Sequence, residues 1–285
     1  MNYSLNSLYR VAGVTKQAVS QQFMRDKLFY YNVSVLIPYV DLLRKEHPGC
    51  GLEKIYYTLN PEFIGRDRFI EIFMELGYRV KKKRNYIRTT YSVASKYNNL
   101  IEGLTINNKN RIWQSDITYY YVGNRFYYLV FILDVYTKVI LAYRASDNLR
   151  AEANIIALKM ALATQQASVR GLIHHSDRGS QYIEKNYISL LTRNFIKISM
   201  GSKAQENAYA ERVNGIIKNE YLKHKNIESL KNLKRELKKS VIHYNYKRKH
   251  RSLHQWMTPM EFDNYLLNLE HNKRPVITIF NHNNN

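Results

Sequence analysis

A single cysteine, Cys50, stands in a chain of 285 residues, which excludes an internal disulfide framework and any multi-cysteine zinc site. No run of 18 apolar residues occurs, and the opening MNYSLNSLYR lacks the apolar stretch of a secretory signal. These absences lead us to expect a chain of the reducing cytoplasm, with no membrane span. Acid is scarce too: 23 Asp and Glu stand against 44 Lys and Arg, for a net charge of +21. Such a balance fits a polyanionic partner without fixing any chemistry. No internal repeat is found. Tyrosine is plentiful, with 25 copies beside 10 Phe; most suit strand and helix interfaces, and some suit stacking on bases.

The first third of the chain is helical in pattern. In SLYRVAGVTKQAVSQQFMRDK two short helical stretches meet at Gly13-Val14-Thr15, with Thr15 placed to cap the second, so residues 1–31 read as a helix-turn-helix. Gln17, Ser20 and Gln21 would lie on its exposed recognition face. Three further patterns follow, VLIPYVDLLRKEH, LEKIYYTL and RDRFIEIFMEL. Pro48-Gly49, Asn60-Pro61 and Gly77 stop them in turn. With the basic run KKKRNYIR at 81–88, residues 32–104 read as a helical DNA-binding domain and linker.

Past residue 105 the period changes. IWQSDITYYYV, FYYLVFILDVY and VILAYRA read as strands joined at Gly123-Asn124 and Thr137-Lys138. Helices at AEANIIALKMALATQQ and EKNYISLLTRN then alternate with strands at GLIHHSD and FIKISM. A Ser202-Lys203-Ala204-Gln205 capping box starts a long helix, 204–221. Three antiparallel strands followed by alternating helices and strands predict a mixed α/β sheet with helices on its faces, over 105–269. Basic and helical segments complete that unit, with a Thr258-Pro259-Met260-Glu261 capping box opening the last helix. Residues 270–285, polar and ending NHNNN, are expected to be disordered.

The chemistry centres on three acids. Asp116 lies in the first strand, Asp177 where a later strand ends, and Glu211 on the long helix, after enough chain to return to the same sheet edge. Carboxylates held close together repel unless a cation neutralises them, which argues for Mg²⁺ or Mn²⁺, and two such ions suit in-line phosphoryl displacement. At helical spacing Asn207, Glu211, Asn214 and Lys218 share one polar face, on which Asn207, Asn214 and Lys218 are expected to face DNA, while Tyr209, Val213 and Ile216 suit burial. Trp113 falls on the opposite sheet face from Asp116, in the core. Gly179, Ser180 and Gln181 shape the turn after Asp177, with Gln181 near DNA. His174 or His175 packs in the core or orients Asp177. Asp134 stands as a further candidate carboxylate, and Arg248, His250 and Arg251 as cations for a nucleic-acid backbone or for structural ion pairs.

In that order, the strings WQSDITYYY, HSDRGSQY, ENAYAERVNGIIKNEY and YNYKRKHRSLHQWMTPMEF resemble the catalytic reading-frame transposases of bacterial insertion sequences, in the DDE transposase group related to retroviral integrases. The similarity covers residues 35–269. It implies an RNase H-like core, Mg²⁺-dependent strand cleavage by water and strand transfer by the freed 3′-hydroxyl. It also implies a metal-binding triad at Asp116, Asp177 and Glu211, and a basic position at Lys218 that meets the transposon end. The expected partners are terminal inverted repeats and target DNA, held by a homo-oligomer in a synaptic complex on the bacterial nucleoid. In this group an upstream reading frame carrying a helix-turn-helix is often fused to the catalytic frame; this chain begins at Met1 without it. Glu206 stands where the family usually has Asp in an Asp-Asn-Ala string, and its place at the helix start assigns it to the helix dipole rather than to the triad. Two rival readings are a catalytically silent DNA-binding repressor and a structure-specific nuclease on the same core.

Overall fold

Thr15, at the foot of the second helix, accepts a hydrogen bond from the Ala18 N–H at 3.0 Å through its hydroxyl, so the cap expected from sequence is formed. The computed structural model describes residues 4–80, 97–123, 125–165 and 168–279. Two compact units divide the chain, Met1–Val80 and Lys81–Asn285. In the first, α1 (Leu5–Val11) and α2 (Lys16–Glu46) flank Gly13, whose φ of +66° is the left-handed turn that glycine favours. α3 (Leu52–Leu59) stops at Asn60 in the left-handed region, and α4 (Arg66–Glu75) runs to Gly77 at φ +87°.

The 31/32 boundary read from sequence falls inside α2. Nothing between Tyr30 and Val35 stops a helix, and α2 passes through Pro38 to Glu46. α2 joins the core from Phe29 onward, where Val33 and Val40 are buried with Leu52, Ile55, Phe69, Ile72 and Phe73. No residue of α1 is buried. Gln17, Ser20 and Gln21 are exposed. The basic run 81–88 lies outside the described residues.

The second unit opens earlier than residue 105. Leu100 donates its N–H to Ser199 Oγ, Met200 donates its N–H to the Asn98 carbonyl, and Ile101 is fully buried. β1 (Thr105–Ile106) is followed by a central sheet of β2 (Ile112–Val122), β3 (Arg125–Asp134) and β4 (Ile140–Ser146). Then come α5 (Glu152–Ala163), β5 (Ile173–Ser176), α6 (Lys185–Arg193), β6 (Lys197–Met200) and α7 (Ala208–Ile216). The order across the sheet is β4-β3-β2-β5-β6, antiparallel within β4-β3-β2 and parallel from β2 to β6. This is the RNase H-like mixed sheet that the sequence led us to expect. Gly123 opens the first hairpin turn at φ +48°, and Asn124 lies outside the described residues.

The two faces of the sheet are covered by different helices. α5 and α6 close one face over Trp113, Val130 and Ile132. α7 and α8 (Leu230–Tyr246) close the other over Leu129, Phe131 and Leu133. The third strand pair of the alternation, Asp116 beside Phe131, therefore looks toward α7. α7 begins later than expected, after a 3₁₀ turn at Ala204–Asn207, and the carboxylate that closes the turn belongs to Glu206 rather than Gln205. The second capping box forms as read: Thr258 Oγ1 accepts from the Glu261 N–H and the Glu261 carboxylate accepts from the Thr258 N–H, opening α9 (Pro259–Leu267).

The tail departs from expectation. β7 (Ile277–Thr278) pairs with β1, Ile279 is buried, and Tyr136 donates its hydroxyl to the Pro275 carbonyl. Arg274 donates to Asn108 Oδ1 and to the Leu266 and Leu269 carbonyls. Polar composition hid these alternate apolar residues, and only 280–285 lie outside the described residues. Burying one Ile side chain contributes about 1.5–3 kcal/mol. Truncation after Lys273 is therefore expected to lower the calorimetric melting temperature of the second unit by several degrees; a truncated chain that melts with the intact one would show that the tail adds nothing.

Candidate active site

β2 is extended, so Gln114, Asp116, Thr118 and Tyr120 point to the face that α7 covers. Each of the first three meets α7 or its continuation. Gln114 Oε1 accepts from the N–H groups of Tyr209 and Ala210 at 3.1 and 3.2 Å. Asp116 Oδ2 accepts from Asn214 Nδ2 at 2.6 Å, and Thr118 Oγ1 accepts from Lys218 Nζ at 2.6 Å. Lys218 sits in a single π-helical turn, Ile217–Tyr221, that prolongs α7.

Parallel pairing brings the second acid alongside. Ser115 of β2 is in register with Ser176 of β5, so Asp116 and Asp177 each lie one residue beyond the same rung on neighbouring strands. Gly179 keeps the turn after Asp177 open: its N–H donates to Asp177 Oδ1 at 3.1 Å, and a Cβ there would stand 3.1 Å from that same oxygen. Beneath the pair, the buried Tyr182 hydroxyl meets Ser115 Oγ at 3.0 Å. Glu211 rides on the first turn of α7 and is exposed.

The three carboxyls feel one another. Burial, then the charges of Asp177 and Glu211, push the Asp116 pKa up to about 8. Burial raises Asp177, and Glu211, whose residue surface is open while its carboxyl side is partly desolvated, is raised by that desolvation and then by the Asp177 charge. Among the described residues no three His, Cys, Asp or Glu side chains are gathered closely enough to hold a metal ion. The two facts concern different ranges: charges act on one another well beyond the short metal–oxygen distances of about 2.0–2.6 Å that coordination needs. The carboxyls thus share one electrostatic neighbourhood without forming a closed ligand cage.

Several sequence expectations change here. Asn207 and Asn214, read as facing DNA, are buried: Asn207 Nδ2 donates to the Ser115 carbonyl at 2.9 Å, and Asn214 donates to Asp116. Gln181 gives its amide to the Leu149 carbonyl at 3.0 Å. Arg248 is 6% exposed and doubly bonded to Glu220, at 2.9 Å for both contacts, so it makes a structural ion pair instead of facing solvent. Arg251 is exposed.

The remaining candidates are structural. Asp134 accepts from the N–H groups of Asn110, Tyr136 and Thr137 and from the Thr137 hydroxyl, which fixes the turn before β4. Neither histidine touches Asp177; His174 Nε2 pairs with the Tyr187 hydroxyl and His175 Nδ1 with Ser199 Oγ. Burial lowers both, to about 3 and about 4. Glu206 is occupied by the Ser202 and Lys203 N–H groups. Gln114, Thr118 and Tyr182 join the site although no motif singles them out. Strand alternation about Asp116 was the signal available for Gln114 and Thr118; nothing local marked Tyr182.

The acid cluster has a stability signature. An unfolded Asp titrates near 3.9, and Asp116 in the fold near 8, so the folded state binds its proton more tightly. The stability Asp116 contributes is therefore full below about pH 4 and is lost as pH rises toward about 8. Without divalent cations, the urea midpoint is expected to fall between about pH 5 and about pH 8, and Asp116→Asn to flatten that fall. Parallel slopes for the two proteins would contradict the assigned environment.

Comparison with known proteins gives this geometry a context. Residues 107–205 match the family described as an integrase core domain, and residues 195–259 match a second integrase core description. The chain is 34% identical over 200 residues to the insertion element IS600 uncharacterized 31 kDa protein of Shigella sonnei, covering 68% of this chain and 73% of that one. It is 31% identical over 184 residues to a putative transposase for IS986/IS6110 from Mycobacterium tuberculosis strain CDC 1551, covering 61% of this chain and 66% of that one, just under two thirds of its length. The magnesium complex of the HTLV-2 integrase catalytic core domain aligns at 21% identity and a TM-score of 0.43, over 58% of this chain and 99% of that one. The chain belongs to the DDE transposase and integrase superfamily, among the proteins of bacterial insertion sequences.

Proposed function

We propose that this protein is a DNA transposase that cleaves the ends of its insertion sequence and joins them to target DNA. The observation that supports the reading is that Asp116, Asp177 and Glu211, carried by three separate elements, lie close enough for their charges to repel one another. Purely oxygen donors of like charge suit a hard divalent cation, which would relieve that repulsion. Asp116, Asp177 and Glu211 would hold Mg²⁺ or Mn²⁺, as two ions in the full reaction. When bound, the metal would supply charge neutralisation for the attacking and leaving oxygens of an in-line displacement.

The remaining work falls to the chain's own side chains. Asn214 fixes the orientation of the Asp116 carboxylate, and Lys218 places a cation beside it, near the phosphates the reaction handles. Exposed cations elsewhere hold the DNA backbone, and the exposed Gln17, Ser20 and Gln21 of α2 contact transposon ends. An element has two ends, so concerted joining requires at least two copies of the site and hence a homo-oligomer on DNA. The intact triad speaks against the repressor reading, since a silent binder has no use for three carboxylates that destabilise one another.

Asp116→Asn, Asp177→Asn and Glu211→Gln are each expected to slow Mg²⁺-dependent cleavage of a labelled transposon end by about 10²–10³-fold or more, with DNA binding retained. A pre-cleaved end bearing a free 3′-hydroxyl, incubated with wild-type protein and plasmid, should yield joined product. Cleavage without joining would make the protein a nuclease, and undiminished cleavage by the triad variants would remove the mechanism.

A further inference from the structure

The helix that carries Glu211 lacks a cap of its own. Its N-cap residue, Asn207, makes no side-chain bond to the first turn and instead gives its amide to the Ser115 carbonyl at 2.9 Å. The N–H groups of Tyr209 and Ala210, which a capping oxygen would normally take, both donate to Gln114 Oε1 at 3.1 and 3.2 Å. From the other end of the same amide, Gln114 Nε2 donates to the Glu206 carbonyl at 3.2 Å, closing the 3₁₀ turn that precedes the helix. Gln114 is completely buried and stands two residues before Asp116 on the same face of β2.

We infer that Gln114 is a positioning residue of the active site, a cap lent by the strand of Asp116 to the helix of Glu211 that sets the spacing between those two carboxylates. This rests on the transposase reading for what the spacing serves, although the cap itself does not. A cap within a helix's own chain fixes only where the helix begins. One supplied by a neighbouring strand also fixes how far along that strand the helix sits. With Tyr209 and Ala210 pinned to residue 114, Glu211 is the next residue of α7, and its Cα cannot slide along β2 without breaking both bonds. The exchange of amides is reciprocal: β2 caps α7 through Gln114, and the turn before α7 holds β2 through Asn207. Two hydrogen bonds to neighbouring N–H groups together with one in the reverse direction resist rotation of the helix as well as translation. Such control matters because a misplacement of about 1 Å in a reacting constellation can cost about 10²-fold in rate.

The test uses the full chain with two substitutions: Gln114→Met keeps the length and removes the acceptor, and Gln114→Glu keeps an oxygen for both N–H groups. In Gln114→Met, hydrogen exchange at Tyr209 and Ala210 should quicken about fivefold to tenfold, as expected for a lost cap, while Phe131 in the sheet centre stays protected. Calorimetric affinity for Mn²⁺ should fall about tenfold, and end cleavage should fall through kcat with the KM for DNA unchanged. Gln114→Glu, which in its protonated form both accepts from the two N–H groups and donates to the Glu206 carbonyl, should restore the exchange protection. Should Gln114→Met unfold, Gln114→Asn, one methylene too short to reach both N–H groups, carries the same expectations. Loss of protection at Tyr209 and Ala210 with Mn²⁺ affinity unchanged would overturn the positioning role, as would undisturbed exchange in Gln114→Met. If the wild type binds Mn²⁺ but joins no DNA, the transposase reading fails while exchange and affinity still decide the role of Gln114.

Discussion

Two residues of an extended strand advance about 6.6–6.8 Å and four residues of an α-helix about 6.0 Å, and the candidate site depends on that near-match. It lets the side chains at 114, 116 and 118 of β2 meet α7 at 210, 214 and 218 in succession, as an amide cap, a carboxylate–amide bond and a hydroxyl–ammonium bond. The mismatch grows to about 1–2 Å over the two steps, and it falls where it can be absorbed. The last contact is made by a lysine, whose long side chain adjusts, in a π-helical turn where the backbone is no longer regular. A helix registered in this way holds Glu211 within range of the charge of Asp177, which the parallel pairing of β2 and β5 sets beside Asp116. The acids come into one electrostatic neighbourhood because of backbone geometry; their own interaction is repulsive.

Repulsion of that kind has to be offset by structure elsewhere. Asn214 donates to Asp116, and the positive charge of Lys218 also faces it, though burial lowers the lysine's own pKa. The π turn that holds Lys218 is in turn anchored at Glu220, which takes two bonds from Arg248 just past the end of α8. Burial works against the Arg248 charge, yet the two-bonded carboxylate more than compensates and the pKa stays raised. A buried pair of this sort is weak evidence for net stability, but losing one partner strands the other charge at about 3–5 kcal/mol. Its role is better seen as geometric. It ties the C-terminal helix to the segment carrying Lys218, so that α8, remote in sequence from Asp116, shares in shaping the site.

Much of this was legible in the residues, for identifiable reasons. The caps at Thr15 and Thr258 and the stops at Asn60 and Gly77 are local devices, complete within a few residues, and each appears where its chemistry requires. Strand alternation sent Trp113 and Asp116 to opposite faces as read. What escaped was whatever depended on contacts distant in sequence. Nothing local says that Arg248 will find Glu220, that Ile279 will bury itself beside β1, or that Asn207 will turn to Ser115. The helical stripe Asn207, Glu211, Asn214 and Lys218 illustrates the limit. Periodicity put its members on one face, but a polar face can turn to water or to a polar strand, and only the alternating polar residues of β2 decide which.

That outcome separates two tasks that a basic, acid-poor sequence tends to merge. The polar residues nearest the three acids are mostly committed inward, Asn207 to Ser115, Asn214 to Asp116, Lys218 to Thr118 and Gln181 to Leu149. The excess positive charge lies elsewhere, for instance on the exposed side of α8, where Lys231, Lys234, Arg235, Lys238 and Lys239 recur at helical spacing. Glu236, buried beside them, is bonded to Arg235 and Lys239. Attraction between such a surface and a polyanion is long in range and tolerant of position, falling off over a Debye length of about 8–10 Å at moderate salt. The β2–α7 contacts around Asp116 act over hydrogen-bond distances and tolerate almost no displacement. One residue set cannot meet both demands well, since a side chain free to follow a phosphate backbone cannot also hold a carboxylate in place. The fold resolves the conflict by giving the short-range work to the β2–α7 interface and leaving the long-range charge to solvent-facing helices.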